Sequence, residues 1–544
     1  MHWADSIAKA LSFRGEKHVV ASGITPSGQF HIGHLREILT SDMIKRACQM
    51  QGIDIQFVWF VDDADPLRKV YSFLDESYSQ YIGHQLANIP PPDENGMPDH
   101  ERFAKGTSYA QHFLEPFLEA LDKIGVHLDE IIYNYESYQT GKFSELSQIA
   151  CNRSDEIREI IERVSGRELD DNWFPWNPID SSGSIDGLTV TGWDDPFVHW
   201  IDSQGNEGRS DVTKGDGKLP WRIDWPAKWA WRGVTMEPFG KDHGAAGGSF
   251  DTGKEIASIL GIEPPYPTTY EWISLKGVGT MSSSTGVSIG PLEALNLVPP
   301  EILRYLIARN KPNRHIDFDT GTALIELTDE YEKKLMDLEK GPGDWESLSR
   351  RQQVAWEKLK AQLNYSKIQW SKDGNDVVEI EKASSRVTFR LLALLAQIRS
   401  DDERVWESLR RSGHIQDQPP DSLRNRLRLM RSWIGSEHFP EGFRLRVQDS
   451  VSVNALENLD RRDVAYLDAV CTEFEKCEWI PDEINSVICN EARSRDISIR
   501  DAFQTLYWIV LDQDFGPKLA NILAEMDRSQ SIQLLNSAKN KLAS

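Results

Sequence analysis

The stretch that most constrains this chain runs from Ser22 to Glu37. Residues 18–21 before it form a short apolar run that predicts a strand, and residues 34–50 place apolar side chains at helical spacing. The turn between them is rich in glycine, proline, serine and threonine. Backbone N–H groups and the helix dipole favour negative charge at such a helix N-terminus. His31 and His34 lie at this same end, which suits the phosphates of a nucleotide.

The chain of 544 residues is too long for a single core, so several domains are expected. We predict an α/β sheet domain in two halves, residues 1–100 and 221–290, separated by an insertion over residues 101–220. A helical region over residues 291–340 precedes an all-helical domain over residues 341–544. The segment Gly341-Pro342-Gly343 marks the clearest boundary.

Composition indicates a soluble globular protein, with 39% hydrophobic residues and no run of eighteen apolar residues. The first residues do not resemble a signal peptide, and the five cysteines are scattered, so no disulfide framework and a cytoplasmic location are expected. The net charge of −24 is uneven, because residues 341–544 hold 29 Lys and Arg against 32 Asp and Glu. This near-neutral part can present a local basic face to a polyanion.

One such basic face is predicted on the helix over residues 423–431, where Arg424, Arg428 and Arg431 share a side. It is either a solvated helix surface or a surface that contacts phosphates. The sequence leaves both interpretations open.

The insertion contains an unusual density of tryptophan. Residues 171–231 hold eight tryptophans among many Gly, Asp and Ser, which predicts short strands in a small β-rich subdomain, with residues 171–220 as its β-rich part. Most of these tryptophans are expected to pack a core that has few aliphatic residues.

Carboxylates follow the second predicted strand, residues 55–61, in the run Asp62-Asp63-Ala64-Asp65. Parallel α/β sheets bind their ligands at this edge. The cluster is compatible with a metal site, a solvated strand end or an electrostatic partner for an ammonium group. Later in the chain we predict a helix over residues 254–260 and a strand over residues 269–275 that runs into a Gly/Ser loop.

Two separated stretches resemble the HIGH and KMSKS signatures of class I aminoacyl-tRNA synthetases: His31-Ile-Gly-His34 and Thr280-Met-Ser-Ser-Ser284. With residues 61–70, 240–243 and 247–254, they resemble the class I lysyl-tRNA synthetase family in particular. This resemblance implies a Rossmann-type (HUP-like) catalytic domain with a β-rich insertion, a stem-contact-type helical region, and a C-terminal helix cage that binds the anticodon.

The resemblance implies that lysine is attached to tRNA(Lys) through lysyl-adenylate, with ATP and Mg²⁺. It implies catalytic roles for His31, His34, Lys276, Ser282, Ser283 and Ser284. It assigns ATP binding to Ser27, Gly33, Gly240, Asp242, Ile273 and Met281. Lysine binding falls to Gly23, Thr25, His243, Tyr270 and one tryptophan, for which spacing favours Trp221 over Trp225. In the helical domain, Arg424, Arg428 and Arg431 are the tRNA-binding candidates.

Two departures from the family pattern change these expectations. The chain has no cysteine between Cys151 and Cys471, so no structural zinc is expected. The KMSKS-like loop has Thr280, Ser283 and Thr285 where lysines are usual, which leaves Lys276 as its cation. Two alternatives to a lysine–tRNA ligase therefore stay open: a catalytically weakened paralogue that binds lysine, an analogue or tRNA, and an enzyme that adenylates another acceptor. A monomer without membrane contact is expected.

Overall fold

The structure is a computed structural model that describes residues 2–276, 289–370, 387–399 and 401–543, and the backbone of residues 279–280. Within these residues the chain forms two compact units: 2–319 with 337–370, and 320–336 with 387–543. This division differs from the boundary predicted at residues 341–343. Residues 337–370 belong to the first unit because its buried arginines hold them: Arg304 Nε donates to the carbonyl of Tyr365 (3.0 Å) and Arg46 Nη1 to that of Lys367 (2.7 Å).

The strands of the described residues are β1 (Lys17–Ile24), β2 (Asp54–Val61), β3 (Glu130–Tyr133), β4 (Asn177–Pro178), β5 (Thr189–Asp194), β6 (Phe197–Ile201), β7 (Glu207–Asp211), β8 (Gly217–Lys218), β9 (Met236–Gly240), β10 (Tyr266–Tyr270), β11 (Ile273–Leu275), β12 (Gly279–Thr280) and β13 (Ile316–Phe318).

The α-helices of the first unit are α1 (Trp3–Leu11), α2 (Leu35–Met50), α3 (His100–Ala104), α4 (Tyr109–Lys123), α5 (Asn134–Gln139), α6 (Ser144–Asn152), α7 (Ser154–Ser165), α8 (Trp221–Arg232), α9 (Ser249–Ile259), α10 (Pro291–Leu295), α11 (Pro300–Ala308) and α13 (Arg350–Tyr365). Helix α12 (Thr322–Lys340) comes between α11 and α13 in the chain, and its residues up to 336 belong to the second unit.

The central sheet has five parallel strands in the order β10-β9-β1-β2-β3. All eight residues of β1 pair with β2, from Lys17 opposite Asp54 to Ile24 opposite Val61. The predicted Rossmann-type α/β fold is confirmed. From β1 the chain builds the sheet first toward β3 and later, through β9, toward β10. The switch point between β1 and β9 is where open α/β sheets place their ligands.

Five short strands, β4 to β8, lie between residues 177 and 218. Strands β5, β6 and β7 form an antiparallel sheet, and β4 pairs with β8. Trp176 is buried there and its indole N–H donates to Ser210 Oγ (2.7 Å). Gly217 lies against this indole so closely that a Cβ would stand 2.4 Å from Nε1. This tryptophan therefore packs a small core, as expected.

Three local predictions are wrong. Residues 221–231 are helical rather than extended, because Trp221, Trp225 and Trp229 recur every four residues and line one side of α8 after Pro220. Helix α9 begins at Ser249 instead of residue 254, and Asp251 in its first turn accepts the N–H of Gly247 at 3.0 Å.

The strand predicted over residues 269–275 is two strands in two sheets. β10 ends at Tyr270, and β11 pairs with β12 and β13. The change of sheet occurs at Glu271, whose N–H leaves the ladder and donates to the carbonyl of Pro312 at 2.9 Å.

In the described residues of the second unit the regular secondary structure is helical, with α14 (Phe389–Ile398), α15 (Asp402–Arg411), α16 (Asp421–Gly435), α17 (Val453–Glu457), α18 (Asp463–Phe474), α19 (Pro481–Arg493), α20 (Ile499–Leu511), α21 (Leu519–Glu525) and α22 (Arg528–Ala543). Apolar faces of the last six helices close one core around Leu467, Ile488 and Leu506. No helix in the described part of the chain is long and apolar enough to cross a membrane.

Candidate active site

A cavity of about 330 Å³ opens at the carboxyl ends of β1 and β9, at the switch point of the sheet. Nine of the residues predicted from the sequence line it: Gly23, His31, Gly33, His34, Trp221, Gly240, His243, Tyr270 and Ile273. The remaining lining includes three carboxylates and one lysine, at Glu37, Asp62, Glu237 and Lys228, as well as Trp225 and Trp272. One cavity therefore combines the two histidines with an acidic, aromatic pocket.

The two histidines lie together at the start of α2, with ring centroids 4.0 Å apart. Burial lowers the pKa of His31 to about 4 and that of His34 to about 3, so both rings are neutral at pH 7. His31 Nδ1 accepts the N–H of Gly33 at 3.1 Å. In the tautomer that satisfies its bond, His31 carries the proton on Nε2. His34 Nδ1 lies 3.1 Å from both the N–H and the carbonyl of His31, so it either accepts from the first, with its proton on Nε2, or donates to the second. The pair thus offers a neutral N–H donor at His31 Nε2, and a second at His34 Nε2 when His34 Nδ1 accepts.

Glu37, one turn beyond His34 on α2, is a cavity residue that the sequence reasoning missed. Its carboxylate accepts hydrogen bonds from Ser22 Oγ (2.6 Å), the N–H of Gly23 (3.0 Å) and the hydroxyl of Tyr270 (2.7 Å). Burial nevertheless raises the pKa of this carboxyl above its usual range. The spacing of three residues from His34 on one helix face is the signal that could have identified it.

Aromatic side chains form the opposite wall of the cavity. Trp221 stacks on Trp225 with centroids 5.3 Å apart, and its centroid lies 5.1 Å from that of His243. Since both tryptophans line the cavity, the choice between them stays open. Behind them Glu237 accepts the indole N–H of Trp229 at 2.5 Å, and burial raises the pKa of Glu237 to about 7.

The carboxylates at the end of β2 are buried, so a solvated strand end is ruled out. They pair with lysines of the chain itself: Lys228 contacts Asp62 and, at 2.8 Å, Asp224, while Lys218 contacts Asp65. Burial alone would lower the pKa of Lys228, but the carboxylates of Asp224 and Asp62 outweigh it and hold that pKa above its ordinary value. Among the described residues, no group of three or more His, Cys, Asp or Glu could hold a metal ion. The cluster is thus an electrostatic partner for ammonium groups of the protein.

With this geometry in hand, comparisons with known proteins decide the family. A family model described as tRNA synthetases class I (K) matches residues 1–361. The chain belongs to the class I lysyl-tRNA synthetase family. It is 37% identical over 541 residues to a lysine–tRNA ligase of Picrophilus torridus, covering 99% of both chains. A lysine–tRNA ligase of Archaeoglobus fulgidus is 36% identical, covering 97% of both. A solved glutamate tRNA ligase from Elizabethkingia meningosepticum has a TM-score of 0.46 at 12% identity, over 97% of this chain and 100% of that one.

Three other residues that the family resemblance implies do not line this cavity: Thr25, Ser27 and Asp242. Thr25 donates to Asp65 Oδ2 (2.9 Å) and lines a neighbouring cavity that also contacts Trp221 and His243. Ser27 accepts the hydroxyl of Tyr109 through its carbonyl at 2.8 Å. Asp242 is exposed, 3.8 Å from His243 Nε2.

Most of the KMSKS-like loop lies outside the described residues, including Met281, Ser282, Ser283 and Ser284. Just before it, Lys276 is largely exposed and its ammonium pairs with Asp319 at 2.8 Å. The cation left in this part of the chain therefore already has a carboxylate partner.

On α16, the three arginines that the resemblance assigns to tRNA differ in their surroundings. Arg424 and Arg428 are exposed, and Arg428 Nη2 donates to the side chain of Asn425 at 2.9 Å. Arg431 pairs with Asp402 at 2.7 Å and donates to the carbonyls of residues 396 and 399. Arg431 thus fastens α16 to its neighbours, whereas Arg424 and Arg428 stay exposed and donate only to residues close to them in sequence, at positions 418, 419 and 425.

Proposed function

We propose that this member of the class I lysyl-tRNA synthetase family is a lysine–tRNA ligase that activates lysine with ATP and transfers it to tRNA(Lys). The observation that carries the proposal is one cavity in which two neutral histidines adjoin a buried acidic and aromatic pocket. Relatives named lysine–tRNA ligases, which match nearly the whole chain, support it.

The pocket favours a cationic amino acid on charge grounds. Glu37, Asp62 and Glu237 line it against a single lysine, Lys228. Lys228 is already held by Asp62 and Asp224, so the Glu37 carboxylate is available for an ammonium group of the substrate. The rings of Trp221 and Tyr270 provide apolar faces for the butyl stem. An acidic amino acid would meet uncompensated like charge here.

The nucleotide is assigned to the histidine side of the cavity. His31 and His34 would donate from Nε2 to phosphate oxygens, and their neutral state makes these donors inexpensive to bury. Gly240 keeps the wall open, since a Cβ there would lie 2.7 Å from Asp242 Oδ1 and 3.3 Å from Trp272. Because the described residues provide no carboxylate cluster for a metal, Mg²⁺ would be carried mainly by the phosphate oxygens of ATP.

Two displacements complete the reaction. A carboxylate oxygen of lysine attacks the α-phosphorus, the bond to pyrophosphate breaks, and lysyl-adenylate forms. A ribose hydroxyl at the tRNA 3′ end then attacks the lysyl carbonyl, and AMP leaves as the ester forms. The cavity supplies orientation and hydrogen-bond donors for the developing phosphate charge, which are the main catalytic needs of such transfers.

The finer properties are also proposals. We propose that the protein acts as a cytoplasmic monomer without structural zinc, and that Arg424, Arg428 and Arg431 contribute to tRNA binding. Metal analysis of the purified protein should find less than about a tenth of an equivalent of zinc, an order-of-magnitude limit for an unoccupied site. Light scattering should give a mass near 62.0 kDa.

Lysine-dependent exchange of pyrophosphate into ATP tests the first step, and charging of tRNA with radioactive lysine tests the second. The proposed ligase performs both. Absence of exchange at high enzyme concentration would contradict adenylation of any kind and favour a paralogue that only binds. Exchange without charging would favour transfer to another acceptor. Alanine at Tyr270 is a useful companion variant, because it should raise the KM for lysine without changing that for ATP.

A further inference from the structure

Thr25 presents a half-buried hydroxyl beside the candidate active site. It lies next to Trp221 and His243 in the neighbouring cavity, and both of these rings also border the active-site cavity. The hydroxyl of Thr25 donates to Asp65 Oδ2 at 2.9 Å. A hydroxyl has one proton and two lone pairs, so after this bond Thr25 Oγ1 can only accept further hydrogen bonds. A group that hydrogen-bonds to Thr25 from the cavity must therefore be a donor.

The direction of the Thr25 hydrogen bond depends on the charge of Asp65. An ionised carboxylate has no proton to donate, whereas a neutral carboxyl group can donate to a hydroxyl and reverse the bond. Burial alone would raise the pKa of Asp65, but the ammonium of Lys218 outweighs it and holds that pKa below its usual value. Asp65 is therefore ionised at neutral pH and can only accept from Thr25.

Lys218 supplies the buried positive charge that keeps Asp65 ionised. Its ammonium contacts Asp65 Oδ1, the oxygen that Thr25 does not use, and both side chains of this ion pair are buried. Lys218 lies in β8, and the indole of Trp176 packs so closely against the preceding Gly217 that no Cβ fits there. This packing fixes the backbone from which Lys218 reaches the carboxylate.

The backbone of Asp65 is fixed as well. Its N–H donates to the carbonyl of Asp62 at 3.2 Å, and its carbonyl accepts the N–H of Leu86 at 3.0 Å. Each carboxylate oxygen then has a defined partner, Lys218 on Oδ1 and Thr25 on Oδ2. Lys218 lines neither cavity, so its effect on a bound molecule passes through Asp65 and Thr25.

We infer that Lys218 and Asp65 are positioning residues that fix the Thr25 hydroxyl as an acceptor for an N–H of the amino-acid substrate. The inference rests on the proposed ligase function, because lysine is the substrate that brings ammonium donors to this side of the site. The two ammonium groups of lysine carry more N–H donors than the Glu37 carboxylate alone can satisfy. A group that can only accept, such as a side-chain carboxylate, would face the lone pairs of Thr25 Oγ1 instead.

A double-mutant cycle on lysine binding, measured by calorimetry in the full-length protein, tests the inference. Thr25→Val removes the hydroxyl and should raise the Kd for lysine by about tenfold, the effect of losing a hydrogen bond to a charged group. Lys218→Met/Asp65→Asn replaces the ion pair by neutral side chains, so no unpaired charge stays buried and the hydroxyl is free to rotate. This pair variant should raise the Kd by about fivefold. In the Thr25→Val background the same two substitutions should change it by less than about twofold.

Lys218→Gln is a milder second variant for the same cycle. Its NH2 group can still donate to Asp65 Oδ1, so the fold is disturbed less while the positive charge is lost. Its effect on the Kd for lysine should likewise disappear in the Thr25→Val background.

Pyrophosphate exchange separates positioning of Thr25 from a general loss of structure. The Thr25 and pair variants should raise the KM for lysine and keep the kcat and the KM for ATP within about twofold. Lys45→Met/Asp129→Asn is the matched control, because it removes another ion pair of a buried lysine in the first unit (2.7 Å) whose members line neither cavity. The control should leave the Kd and the KM for lysine unchanged.

Three results would overturn the inference. The first is a wild-type Kd for lysine in the pair variant and in Lys218→Gln. The second is an equal rise in Kd with and without Thr25→Val, and the third is an equal rise in the control, since both would assign the effect to general packing. Calorimetry needs no exchange activity, so the expected cycle in a protein without exchange would support the role of the pair and refute the ligase function. A wild-type protein that binds no lysine would overturn both.

Discussion

Replacing Glu37 with glutamine tests whether the negative charge of this carboxylate binds the ammonium group of lysine. The glutamine side chain retains an oxygen to accept from Ser22 and Gly23, and its NH2 group can donate to the hydroxyl oxygen of Tyr270, which donates to Glu37 in the wild type. The change therefore removes the negative charge and leaves each neighbour a hydrogen-bond partner. Loss of one partner of a buried charge pair costs about 2–5 kcal/mol, which corresponds to a rise of roughly 30- to 5,000-fold in the KM for lysine. The KM for ATP should stay within about twofold, because the nucleotide is assigned to the histidine side.

The same substitution should leave the lysine-free protein at least as stable. Burial raises the pKa of the Glu37 carboxyl in the folded state. Its ionisation therefore destabilises the fold, an effect that is absent well below the ordinary carboxyl pKa and grows as the pH rises toward the raised one. Glutamine removes that cost, so the melting temperature at pH 8 should be equal or higher. If Glu37→Gln greatly weakens lysine binding and does not lower the melting temperature, Glu37 serves lysine recognition and is not needed for folding.

The assay is lysine-dependent pyrophosphate exchange at varied lysine and ATP, with melting temperatures measured on the same preparations. Glu237→Gln is the matched control. Burial raises the pKa of Glu237 to about 7, so at pH 7 it is already about half protonated, and its loss should raise the KM for lysine by less than about threefold. A Glu37→Gln enzyme with a KM for lysine within about twofold of wild type would refute the assignment of the ammonium group to this carboxylate.

Three further results are expected. Alanine at His31 or His34 should lower the exchange kcat by about 10²–10³-fold. Burial lowers the pKa of these two rings to about 4 and 3, so the wild-type exchange rate should not change with a histidine pKa near 6.5. A rate that does change near pH 6.5 would contradict the assignment of neutral donors. Lys228→Met should lower the free energy of unfolding by about 3–5 kcal/mol in denaturant titrations, because Asp62 and Asp224 lose their buried partner, and adding Asp62→Asn should recover part of that loss. Arg428→Glu should weaken tRNA binding in filter assays and spare exchange, whereas Arg462→Glu, exposed elsewhere in the helical unit, should not; equal effects of both would point to general charge repulsion.

The sequence predicts the sheet, the turn after β1 and most of the cavity, because these depend on local pattern. An apolar strand, a glycine-bearing turn and a helix N-terminus can each be read from adjacent residues. The parallel order of the sheet then brings Gly23 of β1 and Gly240 of β9 together, although more than two hundred residues separate them.

The buried charges could not be predicted in the same way. Lys228 and Glu237 look like ordinary surface residues, and only the tertiary fold surrounds them with carboxylates or indoles. The tryptophan-rich composition also obscured α8, because aromatic residues are common in strands and the four-residue spacing of Trp221, Trp225 and Trp229 was the only helical signal. The end of β10 depends on a hydrogen bond from Glu271 to the distant Pro312, which no local pattern reports.

The return of residues 337–370 to the first unit has a consequence for how this protein is made. A ribosome that has released residue 319 has delivered the whole sheet, yet the buried guanidinium of Arg304 still lacks the carbonyl of Tyr365. At about 5–20 residues per second, the 46 residues from 319 to 365 follow roughly 2–10 s later. The catalytic unit therefore completes its packing only after the start of the helical unit has emerged. An expression fragment of the catalytic unit accordingly needs a C-terminus beyond residue 367, since an end at residue 340 would leave Arg46 and Arg304 buried without these acceptors.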